Sequence, residues 1–305
     1  MMPPGSEDSE SLRVQVCRRA RDTLAFRPAS DAELDQFRRS LMGLGVYGLQ
    51  FEQTLRACGI DPEAGSSYQE SVLGVGIDMV WVPGGTLAMG SLQDEPGRQG
   101  DEGPVHLVEL DGFWMSRTLV TQRQYELVLD ANPSHYRAAD NGVDHVTWDQ
   151  AAGFCRRLFE VTNRKYCLPT EAQWEFASRA GSAAPWFCGS DPADLAGYCW
   201  FQANASGGPQ PVAQRKPNSY GLYDMHGNLC QWCSDWYGAD AYRVSLSRNP
   251  AGPLSGTERV LRGGDWSCDA SGTRSAKRYH LALDAAPPGT LAAGFRICRP
   301  GFGAQ

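Results

Sequence analysis

The sequence predicts an α+β protein in two parts: a small all-α helical bundle over residues 10–61, then an irregular, loop-rich domain over 77–303. Three observations carry that expectation. Residues 10–61 contain one proline, Pro28, and place apolar side chains at helical spacing. From Ile77 onward, short β-type runs alternate with turn residues. After residue 181, glycine, proline, asparagine and tryptophan are interleaved in a way that neither a helix nor an alternating strand explains. Such a segment suits irregular backbone packed around buried indoles, because glycine permits left-handed turns and close approach.

Residues 1–9 are polar and acidic and read as a disordered tail. Leu12, Val16, Ala20 and Leu24 then fall on one helical face. Ser30-Asp-Ala-Glu33 has the form of a capping box, and Leu34, Phe37, Leu41 and Leu44 mark the face of the helix it opens. A third helical stretch over 46–58 ends at Gly59, a left-handed cap. Residues 62–76 read as a linker. Val80-Trp-Val82 is a strand ended by the turn Pro83-Gly84-Gly85, and Val105–Leu110 and Phe113-Trp114 continue in β style. Two helices stand out among the loops. One is Trp148–Val161, with Ala151, Phe154, Cys155 and Leu158 on one face. The other is opened by the capping box Thr170-Glu-Ala-Gln173 and runs to Arg179. There is no internal repeat.

With 305 residues, 42% apolar and 21% charged, the composition is that of an ordinary globular protein with a sizeable core. A net charge of −7 without a basic stripe argues against a nucleic-acid partner. No apolar run approaches the ~20 residues that span a bilayer, so no membrane partner is expected. The start lacks the basic and apolar regions of a secretory signal, so the expected location is cytoplasmic, with the ten cysteines mostly reduced.

Several residues carry chemical options. Cys230-Gln-Trp-Cys233 has redox or zinc spacing, yet Trp232 and Trp236 beside it suit buried structural cysteines. Cys268 is either an inert thiol or a reactive one, with Arg262 and Arg274 near in sequence to favour its thiolate. Asp224 and His226 form either an acid–base pair or a bonded loop pair. Arg296 suits a guanidinium that bonds several loop carbonyls.

Met79-Val-Trp-Val-Pro-Gly-Gly85, Val146-Thr-Trp-Asp-Gln-Ala151, Tyr166-Cys-Leu-Pro-Thr-Glu-Ala-Gln-Trp-Glu-Phe176, Gly221-Leu-Tyr-Asp-Met-His-Gly-Asn228, Arg259-Val-Leu-Arg-Gly-Gly264 and Gly294-Phe295-Arg296 stand in a characteristic order. Together they resemble the formylglycine-generating enzyme, or sulfatase-modifying factor, family over roughly 77–300. The resemblance implies a C-type-lectin-like fold. It also implies several activities. Formylglycine-generating members oxidise a cysteine with copper and oxygen, the metal lying between two cysteines five residues apart. Here Cys268 supplies the first and Thr273 stands at the second position. Copper is therefore not expected, since Cu(I) favours paired soft thiolates. Iron-dependent sulfoxide synthases of this type use a His-x-x-x-His-x-Glu element in a helical amino-terminal domain. This chain has no histidine before His106, so iron is not expected either.

Some members bind calcium beside a residue equivalent to Asn228, helped by a glutamate that is Gln231 here. Calcium stays open, with Asn228, Asp224 and Asp235 as the ligand candidates. Other members resemble variable proteins of diversity-generating retroelements, whose Arg-Gly-Gly…Arg-Ser-Ala…Gly-Phe-Arg frame fits Arg262–Gly264, Arg274–Ala276 and Gly294–Arg296. In that frame Trp266, Asp269, Arg274, Arg278, Tyr279 and His280 are the candidates for contact with a peptide or protein ligand. Still others are attached to helical adaptors in prokaryotic signalling or defence systems, so a protein partner is expected at the 10–61 bundle. The resulting expectation is a non-catalytic binding module. The alternative is an oxidoreductase acting on a peptide or small thiol through Cys268.

Overall fold

The computed structural model describes residues 66–282 and 292–301. The tail over 1–9 and the bundle over 10–61 lie outside these residues. The stretch read as a linker over 62–76 is corrected in its second half, where the domain begins at Tyr68. β1 (Tyr68–Val72) and β2 (Val75–Val82) form an antiparallel hairpin. Leu73 (φ 49°) and Gly74 (φ 84°) make its turn, with the two positive φ angles that match the twist of paired strands. The strand was hidden because Glu70 takes an inward position, where a valine or isoleucine would normally signal β structure. Its carboxylate accepts hydrogen bonds from the Tyr166 hydroxyl and, at 3.2 Å, from Arg164.

β3 (Gly85–Met89), β4 (His106–Leu110) and β5 (Phe113–Ser116) follow. β10 (Cys298–Pro300) pairs with β5, which gives a sheet of order β1–β2–β5–β10 with β1 at one edge and β10 at the other. β3 and β4 form a two-stranded sheet of their own. A third sheet has the order β8–β7–β6–β9, from β6 (Cys230–Trp236), β7 (Glu258–Arg262), β8 (Arg278–Ala282) and β9 (Ala293–Gly294). β6 and β9 run parallel and the other pairs antiparallel.

Among the described residues three helices pack on these sheets: α1 (Gln122–Leu129), α2 (Trp148–Thr162) and α3 (Glu171–Arg179). Each opens with a Thr-x-x-Gln capping box, from Thr121, Thr147 and Thr170, in which threonine and glutamine satisfy each other's backbone N–H. α2 and α3 match the sequence reading; α1, only eight residues long, was not read there. Among the described residues, besides smaller groups around Trp186 and Leu229, most buried apolar side chains gather in two clusters. Trp114, Phe154, Phe295 and Trp232 centre one, and Trp174, Met115, Met225 and Val260 the other. The Cys230–Cys233 pair belongs to both. Side chains three apart on a strand face opposite ways, so Cys230 enters the first cluster and Cys233 the second. Burial pushes both thiols well above their usual range.

Candidate functional site

β7 ends at Arg262, and Gly263 (φ 93°) and Gly264 (φ 65°) then turn the chain into the 265–277 loop. A Cβ on Gly264 would lie 2.6 Å from the Gly272 carbonyl oxygen, so glycine is what lets the loop fold back on itself. A 3-10 turn over Ala270–Thr273 follows, capped by the Asp269 carboxylate, which accepts from the Gly272 N–H at 2.9 Å. Cys268 is half-buried on this loop. Its Sγ lies 3.4 Å from Asp265 Oδ1 and 3.5 Å from the Tyr279 hydroxyl. Burial and then the Asp265 carboxylate raise its pKa. That is the opposite of what a nucleophilic or metal-binding thiolate needs.

The arginines expected to activate Cys268 are engaged elsewhere. Arg262 is fully buried, with Nη1 2.8 Å from Glu171 Oε1, Nη2 2.6 Å from Glu175 Oε2 and a further bond to Ser275 O. Arg274 Nη1 reaches Glu95 at 2.6 Å, and its Nη2 reaches Glu102 at 2.7 Å. Arg278 binds Glu171 in the bidentate manner, at 2.7 and 2.9 Å. Arg262 and Arg278 face each other across β7 and β8. Like charges placed so would repel, and Glu171 lies between them as the shared counter-charge. Proximity to the two arginines holds the Glu171 carboxyl below its usual range despite complete burial. Arg274 and Arg278 therefore leave the set of candidate ligand contacts: they are interior ion-pair groups, 1% and 2% exposed.

Thr273 is equally committed. Its hydroxyl donates to Ala270 O at 2.9 Å and accepts from the Trp186 indole at 3.1 Å. A thiol whose proton is held by burial and a carboxylate, with a buried hydroxyl at the second position, does not fit the paired thiolates that copper requires. The Asp224–His226 pair is not formed. His226 Nδ1 lies 2.7 Å from Thr273 O, and Nε2 receives the Phe187 N–H at 3.2 Å. Those two contacts assign the proton to Nδ1, and burial pushes the pKa down to about 4. The ring is a neutral rivet between two loops.

Of the calcium candidates, Asn228 and Asp224 come together and Asp235 does not. Asn228 Nδ2 is 3.3 Å from Asp224 Oδ1, and its Oδ1 already accepts from the Gln210 N–H at 2.9 Å. Asp235 instead accepts the Glu171 N–H at the start of α3, at 2.9 Å. Gln231 holds the centre. Its Oε1 accepts from Trp174 and from Arg296, both at 2.7 Å, and its Nε2 donates to Asp224 O at 2.8 Å. Arg296 also binds Ser116 O and Tyr223 O, as its sequence context suggested. Among the described residues no group of three or more His, Cys, Asp and Glu side chains has the geometry to hold a metal.

Of the candidate ligand contacts, Trp266 and Asp269 on the loop and Tyr279 and His280 on β8 remain accessible. Tyr279 donates to Gly272 O at 3.0 Å, and His280 stacks on Tyr237 with centroids 3.8 Å apart. Trp266 packs edge-on against Tyr136, at 5.7 Å, and Tyr136 in turn meets His135 at 4.9 Å. His145 stands beside His135 and bonds the buried Asp144 carboxylate at 2.5 Å. The sequence reading missed this aromatic extension. Its one signal was the Asn132-Pro133 turn, which brings the 132–136 segment onto the loop.

The family profile described as the sulfatase-modifying factor enzyme 1-like domain matches residues 68–300. The chain belongs to that family. The sulfatase-modifying-factor fold of the described residues, with its few helices and curled sheets, is shared with Treponema denticola variable protein 1. That structure superposes with a TM-score of 0.70 at 26% identity, over 78% of this chain and all of that one. A formylglycine-generating enzyme of Thermomonospora curvata is 29% identical over 67% of this chain and 86% of its own length. A protein of Chlamydia pneumoniae named serine/threonine-protein kinase pkn1 is 33% identical over 66% of this chain. The match spans about a third (35%) of that kinase's length. Among the described residues no helix is long and apolar enough to cross a membrane.

Proposed function

We infer that this domain is a non-catalytic binding module of the sulfatase-modifying-factor family, a pseudoenzyme with respect to copper-dependent cysteine oxidation. It holds a peptide or protein ligand at the accessible groups Trp266, Asp269, Tyr279 and His280. A protein partner engages residues 10–61, in a cytoplasmic prokaryotic signalling or defence setting. One observation carries this reading: the Cys268 thiol faces a carboxylate and a phenol, while the arginines near it in sequence are locked to Glu171, Glu175, Glu95 and Glu102. The similarity to a variable protein, and to part of a protein named a kinase, supports an attached recognition role. Fold alone would not decide it.

The test is a Cu(I) competition titration against a chromophoric chelator, with dioxygen uptake followed in the presence of a cysteine-containing sulfatase-type peptide. The expected result is no stoichiometric copper and no uptake above a Cys268→Ser control. Stoichiometric copper that disappears in Cys268→Ser would replace this reading with an oxidoreductase. A ligand isolated with the full chain should be retained by Cys268→Ser and lost from Trp266→Ala/His280→Ala, whereas a partner held at residues 10–61 should be retained by both.

A further inference from the structure

β3, α3 and the loop over 181–192 enclose a cavity of about 790 Å³, within the roughly 300–1,000 Å³ of ligand sites. Its walls are largely apolar and aromatic, among them Leu87, Val105, Phe176, Pro185, Trp186 and Tyr220. Phe176 and Tyr220 stack with centroids 6.1 Å apart. No residue of 262–280 lines it, so it is separate from the accessible groups discussed above.

Three features define what it would hold. β3 forms one wall and pairs with β4, and among the described residues no strand covers its other edge. The far edge of β4, by contrast, is met by 247–249: Glu109 N–H donates to Ser247 O at 2.7 Å and Asn249 N–H donates to Glu109 O at 2.8 Å. An open edge presents alternating N–H and C=O groups, a template for one more strand. The cavity mouth is apolar, with Leu92 66% and Val105 38% exposed. Its charge is negative. Arg179 is neutralised by Glu175 at 2.9 Å, Glu95 is bound to Arg274 at 2.6 Å, and Asp94 is exposed at the rim.

We propose that the β3 edge and this cavity bind an extended peptide in which apolar and basic residues alternate. The peptide backbone pairs with β3, its apolar side chains enter the cavity, and a basic side chain meets Asp94. Five residues of β3 at about 3.3 Å each offer a pairing length of ~17 Å, so a segment of about five to seven residues fills the site.

The probe is a terminally blocked, fluorophore-labelled heptapeptide alternating leucine with arginine. It is compared with a glutamate-for-arginine copy and with a copy N-methylated at alternate amides. Anisotropy titrations on the full chain should show the arginine peptide binding at least tenfold more tightly than either copy. Hydrogen exchange should show protection of the Thr86 and Ala88 amides, the ones that face away from β4, on binding. Ala183→Trp, which fills the mouth at an exposed position, should weaken binding at least tenfold, and Asp94→Lys should abolish the preference for arginine. Trp266→Ala should leave all of this unchanged, which separates the site from the loop surface. Near-UV circular dichroism confirms that each variant is folded. Absence of binding, equal binding of the arginine and glutamate peptides, or binding without protection of Thr86 and Ala88 overturns the proposal. Undiminished binding of the N-methylated copy does so too, and leaves an apolar small-molecule pocket in its place.

Discussion

Asp235→Asn isolates the electrostatic cost of a buried carboxyl beside the ion-pair network. Asp235 is 3% exposed, and its pKa is pushed up from an ordinary 3.8 to about 7, by burial first and then by the Glu171 carboxylate. Its folded value lies above its unfolded one. Its stabilising contribution is therefore fully present below about pH 3.8 and is lost as pH rises through about 7. At 1.36 kcal/mol per pH unit, that interval amounts to about 4 kcal/mol. Asparagine keeps an acceptor for the Glu171 N–H but does not ionise. The stability of Asp235→Asn relative to the native protein should therefore rise by about 4 kcal/mol from pH 4 to pH 8. Urea denaturation of both proteins at several pH values across that range measures it. A pH-independent difference would refute the argument. It would mean that Arg278 stabilises the ionised form enough to offset burial.

Four further outcomes follow from the same structure. His226, pushed down to about 4 from an ordinary 6.5, contributes stability present above about pH 6.5 and lost as pH falls towards 4, about 3 kcal/mol in all. Nitrogen NMR should find its ring neutral and protonated at Nδ1 at pH 5.5. Arg262→Met strands Glu171 and Glu175 beside one fewer cation each and should cost about 3–5 kcal/mol by denaturant titration. Gly227→Ala places a Cβ 2.1 Å from Trp200 O at a φ of 66°, and the loss should exceed about 1 kcal/mol. Cys268 should alkylate with iodoacetamide more slowly than free cysteine at pH 7.5, since burial and Asp265 both hold its proton; faster reaction would restore the active-thiol reading.

Local patterns in the chain reported what local physics controls. Thr170 and Gln173 meet through one helical turn, so their capping box and the start of α3 were legible directly. The apolar face of α2 was legible for the same reason. The motif order from Met79 to Arg296 identified the family and with it the fold. The expectation about copper rests on whether residue 273 is a thiol or a hydroxyl, which is a matter of composition alone. β1 escaped because Glu70 fills an inward position with a charge whose partners, Tyr166 and Arg164, lie far along the chain. Charge state and pairing were decided only in three dimensions. Arg274 and Arg278 looked like displayed side chains and Arg262 like a neighbour of Cys268. Their carboxylates come from residues 95–102 and 171–175, which no spacing rule connects to them. His226 likewise bonds a carbonyl contributed by Thr273 rather than the aspartate two residues before it. Backbone preference acts over one turn and leaves its mark in the sequence. Burial of a charge depends on which distant group the fold brings within 3 Å of it, and only the tertiary structure determines that.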